Sequence, residues 1–122
     1  MTVVVERTFV IERGAGAEFK RISREEIWPY MEARGCKILG LFAHMHGGAS
    51  NELVLLTAYD SMAHWESTRA TEPPPAELGE EMQKLWTRMA NGVRERHKLT
   101  AVTHTRVMRP VTDWVEYPVR PG

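Results

Sequence analysis

The chain has 122 residues, 43% of them hydrophobic and 26% charged, which fits one globular domain with a core of its own. Sixteen Lys and Arg balance sixteen Asp and Glu, so the formal net charge is zero with the five His neutral. A nucleic-acid binder draws most of its affinity from neutralising phosphates and carries a basic excess. None is present, which argues against nucleic acid as a partner.

The single cysteine, Cys36, has no partner for an internal disulfide and belongs to no zinc cluster. It reads as a small buried apolar residue rather than a nucleophile. Met1–Glu6 lacks a basic region followed by a long apolar run, and stretches such as Leu53–Leu56 are too short to span a bilayer. The expectation is a cytoplasmic protein with no membrane association.

Val3–Ile11 is rich in β-branched residues and predicts a first strand, ended by the turn Arg13-Gly14-Ala15-Gly16. A helix follows, with Phe19, Ile22, Tyr30 and Met31 facing inward and Gly35 as its stop. Pro29 lies inside that helix and predicts a kink or break, because proline lacks an amide donor and clashes with the preceding turn. Cys36–His46 and Asn51–Asp60 predict strands two and three, joined by Gly47-Gly48-Ala49-Ser50. Asp60 or Ser61 caps a short helix holding Met62, His64 and Trp65.

Pro73–Pro75 precede a longer helix that starts near Pro75. Leu78, Met82, Leu85, Trp86, Met89 and Val93 fall on one of its faces. Its acidic start (Glu77, Glu80, Glu81) and basic end (Arg94, Arg96, Lys98) complement the helix dipole, and Asn91-Gly92 predicts an end one turn early. Leu99–Met108 predicts strand four, closed by Pro110. The domain therefore covers residues 1–110, and 111–122, with Trp114 and Tyr117, form an extended tail. This order of elements predicts an α+β domain, a four-stranded antiparallel sheet with helices on one face.

A four-residue turn places His44 opposite Leu53, Phe42 opposite Leu55, Gly40 opposite Thr57 and Ile38 opposite Tyr59, all on one face. The other face carries Leu39, Leu41, Ala43 and Met45 with Val54, Leu56 and Ala58. Both faces are largely apolar, whereas a solvated face would alternate to polar residues. Helices of one chain cover one face only. A homodimer joined sheet to sheet is the expected cover for the other, with a monomer whose C-terminal tail folds across that face as the alternative.

Several segments resemble the NIPSNAP family of the dimeric α/β-barrel superfamily. They are Arg7-Thr8-Phe9-Val10-Ile11 with Arg13-Gly14, Glu26–Gly35 around Pro29, Lys37–Phe42 with its internal glycine, Asn51–Ser61, and Thr105–Pro110. The resemblance runs from about residue 4 to residue 110 and implies a ferredoxin-like fold paired sheet to sheet. The superfamily holds cofactor-free monooxygenases, cyclases, lactone isomerases, haem degraders and non-catalytic binders, and fold does not choose among them. Where the family strand often carries His and Trp, this chain has Leu55 and Thr57. A missing indole at position 57, opposite Gly40, predicts either a void rimmed by Ile38, Phe42, Leu55 and Tyr59 or a gap filled by Trp28, Trp65 or Trp86 from a covering helix.

These residues point to a homodimeric protein that binds an apolar or aromatic, polyketide-like small molecule. If it is an enzyme, the type is a cofactor-free cyclase, isomerase or monooxygenase, with His44 as base and Tyr59 as hydrogen-bond donor. Arg7 is placed to hold a carboxylate or phenolate, or to pair with Glu6, Glu52 or an acid of a second chain. Phe9, Ile38, Gly40, Phe42, Leu55 and Thr57 complete the candidate site, with Trp65 and Trp86 from the covering helices. A non-catalytic NIPSNAP-type binder is one alternative, and a haem binder using His64 or His97 is another. No metal is expected: His44-Met45-His46 lacks a third ligand, because His104 lies on the opposite edge strand. No nucleophile elbow, phosphate loop or dinucleotide fingerprint occurs.

Overall fold

Alternation along Val3–Ile11 decides the architecture, because odd positions turn to one side of a strand and even positions to the other. The computed structural model describes residues 1–69 and 71–111. This segment is β1, an inner strand of a four-stranded antiparallel sheet with the order β2-β3-β1-β4. The other strands are β2 (Lys37–Ala43), β3 (Glu52–Tyr59) and β4 (Thr100–Met108). Helices α1 (Gly16–Ile22), α2 (Trp28–Ala33), α3 (Met62–Ser67) and α4 (Glu80–Lys98) lie on one face, giving the α+β, ferredoxin-like arrangement. Trp114 and Tyr117 fall outside the described residues.

The odd side of β1 faces the helices. Val3, Val5, Phe9 and Ile11 are buried there with Phe19, Cys36, Ile38, Leu55 and Tyr59. A second cluster sits among the helices, where Ile22, Ile27 and Tyr30 meet Met89 of α4.

Pro29 does not break the first helix. It stands near the start of α2, and the chain before it widens into a π-helical turn, Ser23–Ile27. The Trp28 N–H donates to the Ser23 carbonyl, so the ladder shifts by one residue just before the proline that has no donor.

The long helix also departs from the expected limits. Ala76–Leu78 form a short 3-10 turn, Gly79 adopts φ 95°, and α4 begins only at Glu80. Leu78 is exposed and leaves the apolar stripe. Gly92 does not end the helix, which continues to Lys98. It is buried against the π-helical turn: a Cβ there would lie 2.8 Å from Glu26 Cβ and 3.0 Å from Ile27 Cγ1.

The β2–β3 register differs from the expected one. Both strands stop short of the turn, so Ala43 pairs with Leu53, Phe42 with Val54, Leu41 with Leu55 and Gly40 with Leu56. An irregularity at Leu39 then brings Ile38 opposite Thr57. A slip of one residue exchanges the faces of a strand relative to its neighbour. Leu55, Thr57 and Tyr59 thus turn toward the helices with Leu41 and Ile38, while Phe42 and His44 turn away with Val54 and Leu56.

The tight seating of α4 generates a test. Gly92→Ala gains about 1 kcal/mol of helix propensity but forces α4 off the turn at a cost of about 1–3 kcal/mol. Chemical denaturation should show a lowered midpoint for Gly92→Ala and a lower one still for Gly92→Val. A raised midpoint in Gly92→Ala would contradict the close contact.

Candidate functional site

Position 7 is the one odd position of β1 that is not apolar. Its alternation carries Arg7 to the helix side, between Leu55 on β3 and Thr105 on β4. Glu6 and Glu52 lie on the opposite face, so the expected pairing of Arg7 with either does not form: Glu6 stands 3.9 Å from Arg106, and Glu52 accepts from His44 at 2.6 Å. Arg7 makes no ion pair with any described residue. Burial lowers its pKa, and the nearby Arg69 charge adds to this.

Arg96 reaches the same side from α4. It is only 6% exposed. Its guanidinium carbon lies 4.7 Å from the centre of the Phe9 ring and 4.9 Å from that of Phe19. The two rings meet edge to face at 4.9 Å. Nη1 of Arg96 donates to Ser23 Oγ at 3.0 Å, on the π-helical turn. Burial first, and the charge of Arg7 second, pull the Arg96 pKa down to about 9. Such contact with aromatic faces offsets part of the cost of burying the cation.

Tyr59 and Cys36 complete this group. Burial raises the Tyr59 hydroxyl well above the usual tyrosine range, and the adjacent Cys36 adds to the effect, against Thr57 and Arg7. The hydroxyl therefore stays protonated at neutral pH, hydrogen-bonded to Cys36 and Thr57. Burial likewise pushes the Cys36 thiol up to about 11, in keeping with the apolar role expected of it.

The helix side thus gathers Arg7, Phe9, Ile38, Leu55, Thr57 and Tyr59, with Trp65 packed against the same cluster. Trp86 belongs to the second cluster, and its buried indole N–H has no partner among the described residues. Gly40, Phe42 and His44 are on the other face, so His44 and Tyr59 do not converge on one substrate within a chain. The expected void beside Gly40 and Thr57 does not form. Gly40 faces Leu56, and the ring of Phe42 folds over it, where a Cβ would come within 2.7 Å of that ring.

On the open face, His44, Glu52, Thr8, Val54, Glu6, His104 and Arg106 line a shallow groove of about 390 Å³. His44 and His104 both border it from opposite edge strands, yet no three His, Cys, Asp or Glu among the described residues are grouped to hold a metal ion. His64 is committed elsewhere. Its Nε2 donates to the Arg34 carbonyl at 2.6 Å, and its Nδ1 accepts from the Asp60 N–H at 3.0 Å, which leaves no ring nitrogen for haem iron. His97 is exposed near the end of α4. No helix of the described residues is long and apolar enough to cross a membrane.

Arg96, Ser23, Phe19 and Cys36 are the members of the helix-side group that sequence reasoning did not assign to the site. The signal for Arg96 was present: it falls seven residues after Met89 and three after Val93, on the inward stripe of α4. Its positive charge near a helix C-terminus pointed instead to a dipole role.

The fold and the site define a small ferredoxin-like α+β protein. Residues 4–73, more than half of the chain, match the model of the NIPSNAP family, and the chain belongs to that family. A NIPSNAP family protein from Agrobacterium tumefaciens is similar over 98% of this chain and 100% of its own, at 22% identity and TM-score 0.68. A NIPSNAP domain protein from Burkholderia xenovorans matches 93% of this chain and 99% of its own, at 18% identity and TM-score 0.70. SnoaB, a cofactor-independent oxygenase from Streptomyces nogalater, is similar over 94% and 98% of the two chains, at 10% identity and TM-score 0.60. At these identities the likeness is one of fold. No curated protein sequence matches the chain.

Cys36 gives a pH test. The unfolded chain releases this proton near the ordinary thiol value, while the folded protein keeps it to about pH 11. Stability should therefore fall as pH rises from about 9 to about 11, with Cys36 contributing on the order of 2–3 kcal/mol. Denaturation at stepped pH should show a shallower alkaline loss in Cys36→Ala. An identical slope in both proteins would contradict a buried, protonated thiol.

Proposed function

We propose that this protein is a homodimer that binds an apolar or aromatic small molecule on the helix side of its sheet. One observation carries the reading. Arg7, Thr57 and Tyr59 stand among the apolar side chains of that face, next to an edge strand that the described helices leave bare. Mostly apolar walls with a few convergent polar groups are the usual make-up of a small-molecule site.

Strand β4 provides the way in. Thr105 pairs with Arg7 and Thr103 with Phe9, so both share the helix side, and both are exposed among the described residues. The cofactor-independent oxygenase SnoaB, which shares the fold, supports a small organic ligand for this chain as well.

Binding suits the site better than proton abstraction. The helix-side group offers two cations and a protonated hydroxyl, and its thiol holds its proton to about pH 11, so it contains no base at neutral pH. His44, the expected base, faces the opposite side. A cyclase or isomerase working through His44 and Tyr59 together is disfavoured on that ground. The arginines suit holding a ligand oxygen.

The opposite face suits a second chain. Val4, Val10, Val54 and Leu56 are only half-buried there, and Phe42, Val102 and Met108 are exposed. A sheet-to-sheet pair would remove these side chains from water, and the zero net charge sets up no general repulsion between copies.

Two variants separate the two faces. Leu56→Lys should sediment as a single 14.0 kDa chain and still bind Nile red, a neutral apolar probe. Thr105→Trp should remain a pair and lose the probe, because an indole beside Arg7 closes the opening over β4. Wild-type protein that sediments at 14.0 kDa would refute the dimer. Undiminished probe binding by Thr105→Trp would refute the helix-side site.

A further inference from the structure

We propose that the ligand is a small aromatic carboxylate and that Arg7 and Arg96 hold its carboxyl group between them. The inference rests on the helix-side site proposed above and adds the chemical class of its occupant. Two cations on one side of a small sheet normally bring acids with them, because a buried charge without a counter-charge is costly. Among the described residues the paired acids are elsewhere. The ion pairs among described residues use Glu6, Glu18, Glu25, Glu52, Glu81 and Glu95, and none involves Arg7 or Arg96.

Arg96 has one fixed contact, the bond from Nη1 to Ser23 Oγ at 3.0 Å, and its face is occupied by Phe9 and Phe19. The two rings and Ser23 together hold the guanidinium in place. A planar fork of N–H donors held in this way matches the geometry of a carboxylate. Arg7 lies two residues before Phe9 on the same side of β1, and its charge is the one that acts on Arg96. A carboxylate between them would compensate both cations at once.

The walls select the rest of the ligand. Phe9, Phe19, Leu55 and Tyr59 pack on the helix side with the two cations and are themselves shielded from water, so a group seated beside them is apolar apart from its charge. An aromatic ring attached to the carboxyl group meets that requirement, with β4 as the side of approach, where Thr103 and Thr105 are exposed. A carboxylate is favoured over a neutral ligand because it supplies the counter-charge that no described acid gives the two arginines.

Titration calorimetry at pH 7.5 with 2-naphthoate and its neutral counterpart 2-naphthalenemethanol tests this. Wild-type protein should bind the acid at least tenfold more tightly than the alcohol. Arg7→Gln and Arg96→Met should each weaken the acid tenfold or more and leave the alcohol within twofold. Arg96→Met should also keep the wild-type melting temperature or exceed it, since methionine packs on the two rings without a charge to compensate. Equal affinity of the wild type for both compounds, or equal weakening of both by Arg7→Gln, would overturn the carboxylate clamp and leave the helix-side site standing. Binding of neither compound would overturn the site and the clamp together. A lowered melting temperature in Arg96→Met with unchanged acid binding would make Arg96 a structural cation and refute its part. Should that variant fail to fold, Arg7→Gln decides alone.

Discussion

Arg96 leaves α4 on its inward stripe and lays its guanidinium against Phe9 of β1 and Phe19 of α1, while its Nη1 donates to Ser23 in the π-helical turn. One cation thereby ties the long helix to the central strand and to both parts of the first helical segment. The arrangement depends on neighbours that are themselves constrained. Gly92, one turn earlier, lets α4 approach the turn that carries Ser23, and that turn sits just ahead of Pro29. The core of this protein is built around a charge that no described acid compensates. In a low-dielectric interior such a charge is a standing cost, and a ligand anion is the natural relief.

The sheet divides the molecule into two surfaces of different character. On the helix side Arg7 interrupts the apolar run of β1 and meets Tyr59, Cys36 and the aromatic pair under Arg96. On the other side His44–Glu52 and Glu6–Arg106 form polar pairs between half-buried aliphatic residues and the ring of Phe42. The proposed ligand site on the first surface and the proposed pairing of chains on the second both use the same alternation, because every strand residue belongs to one face or the other. The NIPSNAP family match and the solved relatives fix the frame in which these surfaces lie.

The order of elements, the edge positions of β2 and β4 and the buried side of β1 were legible in the sequence because they depend on local periods. The β2–β3 register was not. Both faces of these strands are rich in Leu, Ile, Phe and Val, so hydrophobic pattern alone does not distinguish one pairing from its neighbour. The longer connection after Ala43 and the irregularity at Leu39 settle it, and neither leaves a mark in composition. That slip separates His44 from Tyr59 and fills the space over Gly40 with Phe42. Arg7 was recognisable as a polar residue at a core position. Arg96 was hidden by its place near a helix end, where a basic residue ordinarily needs no further reason.

The most direct measurement is a crystal structure of the protein soaked with 4-iodobenzoate, with the iodine located by anomalous scattering. The account predicts iodine on the helix side near Phe9 and Phe19, the carboxylate on Arg7 and Arg96, and two sheets packed face to face through Val54 and Leu56. Iodine in the groove beside His44, Glu52 and Arg106, with the space around Arg96 unchanged, would contradict it.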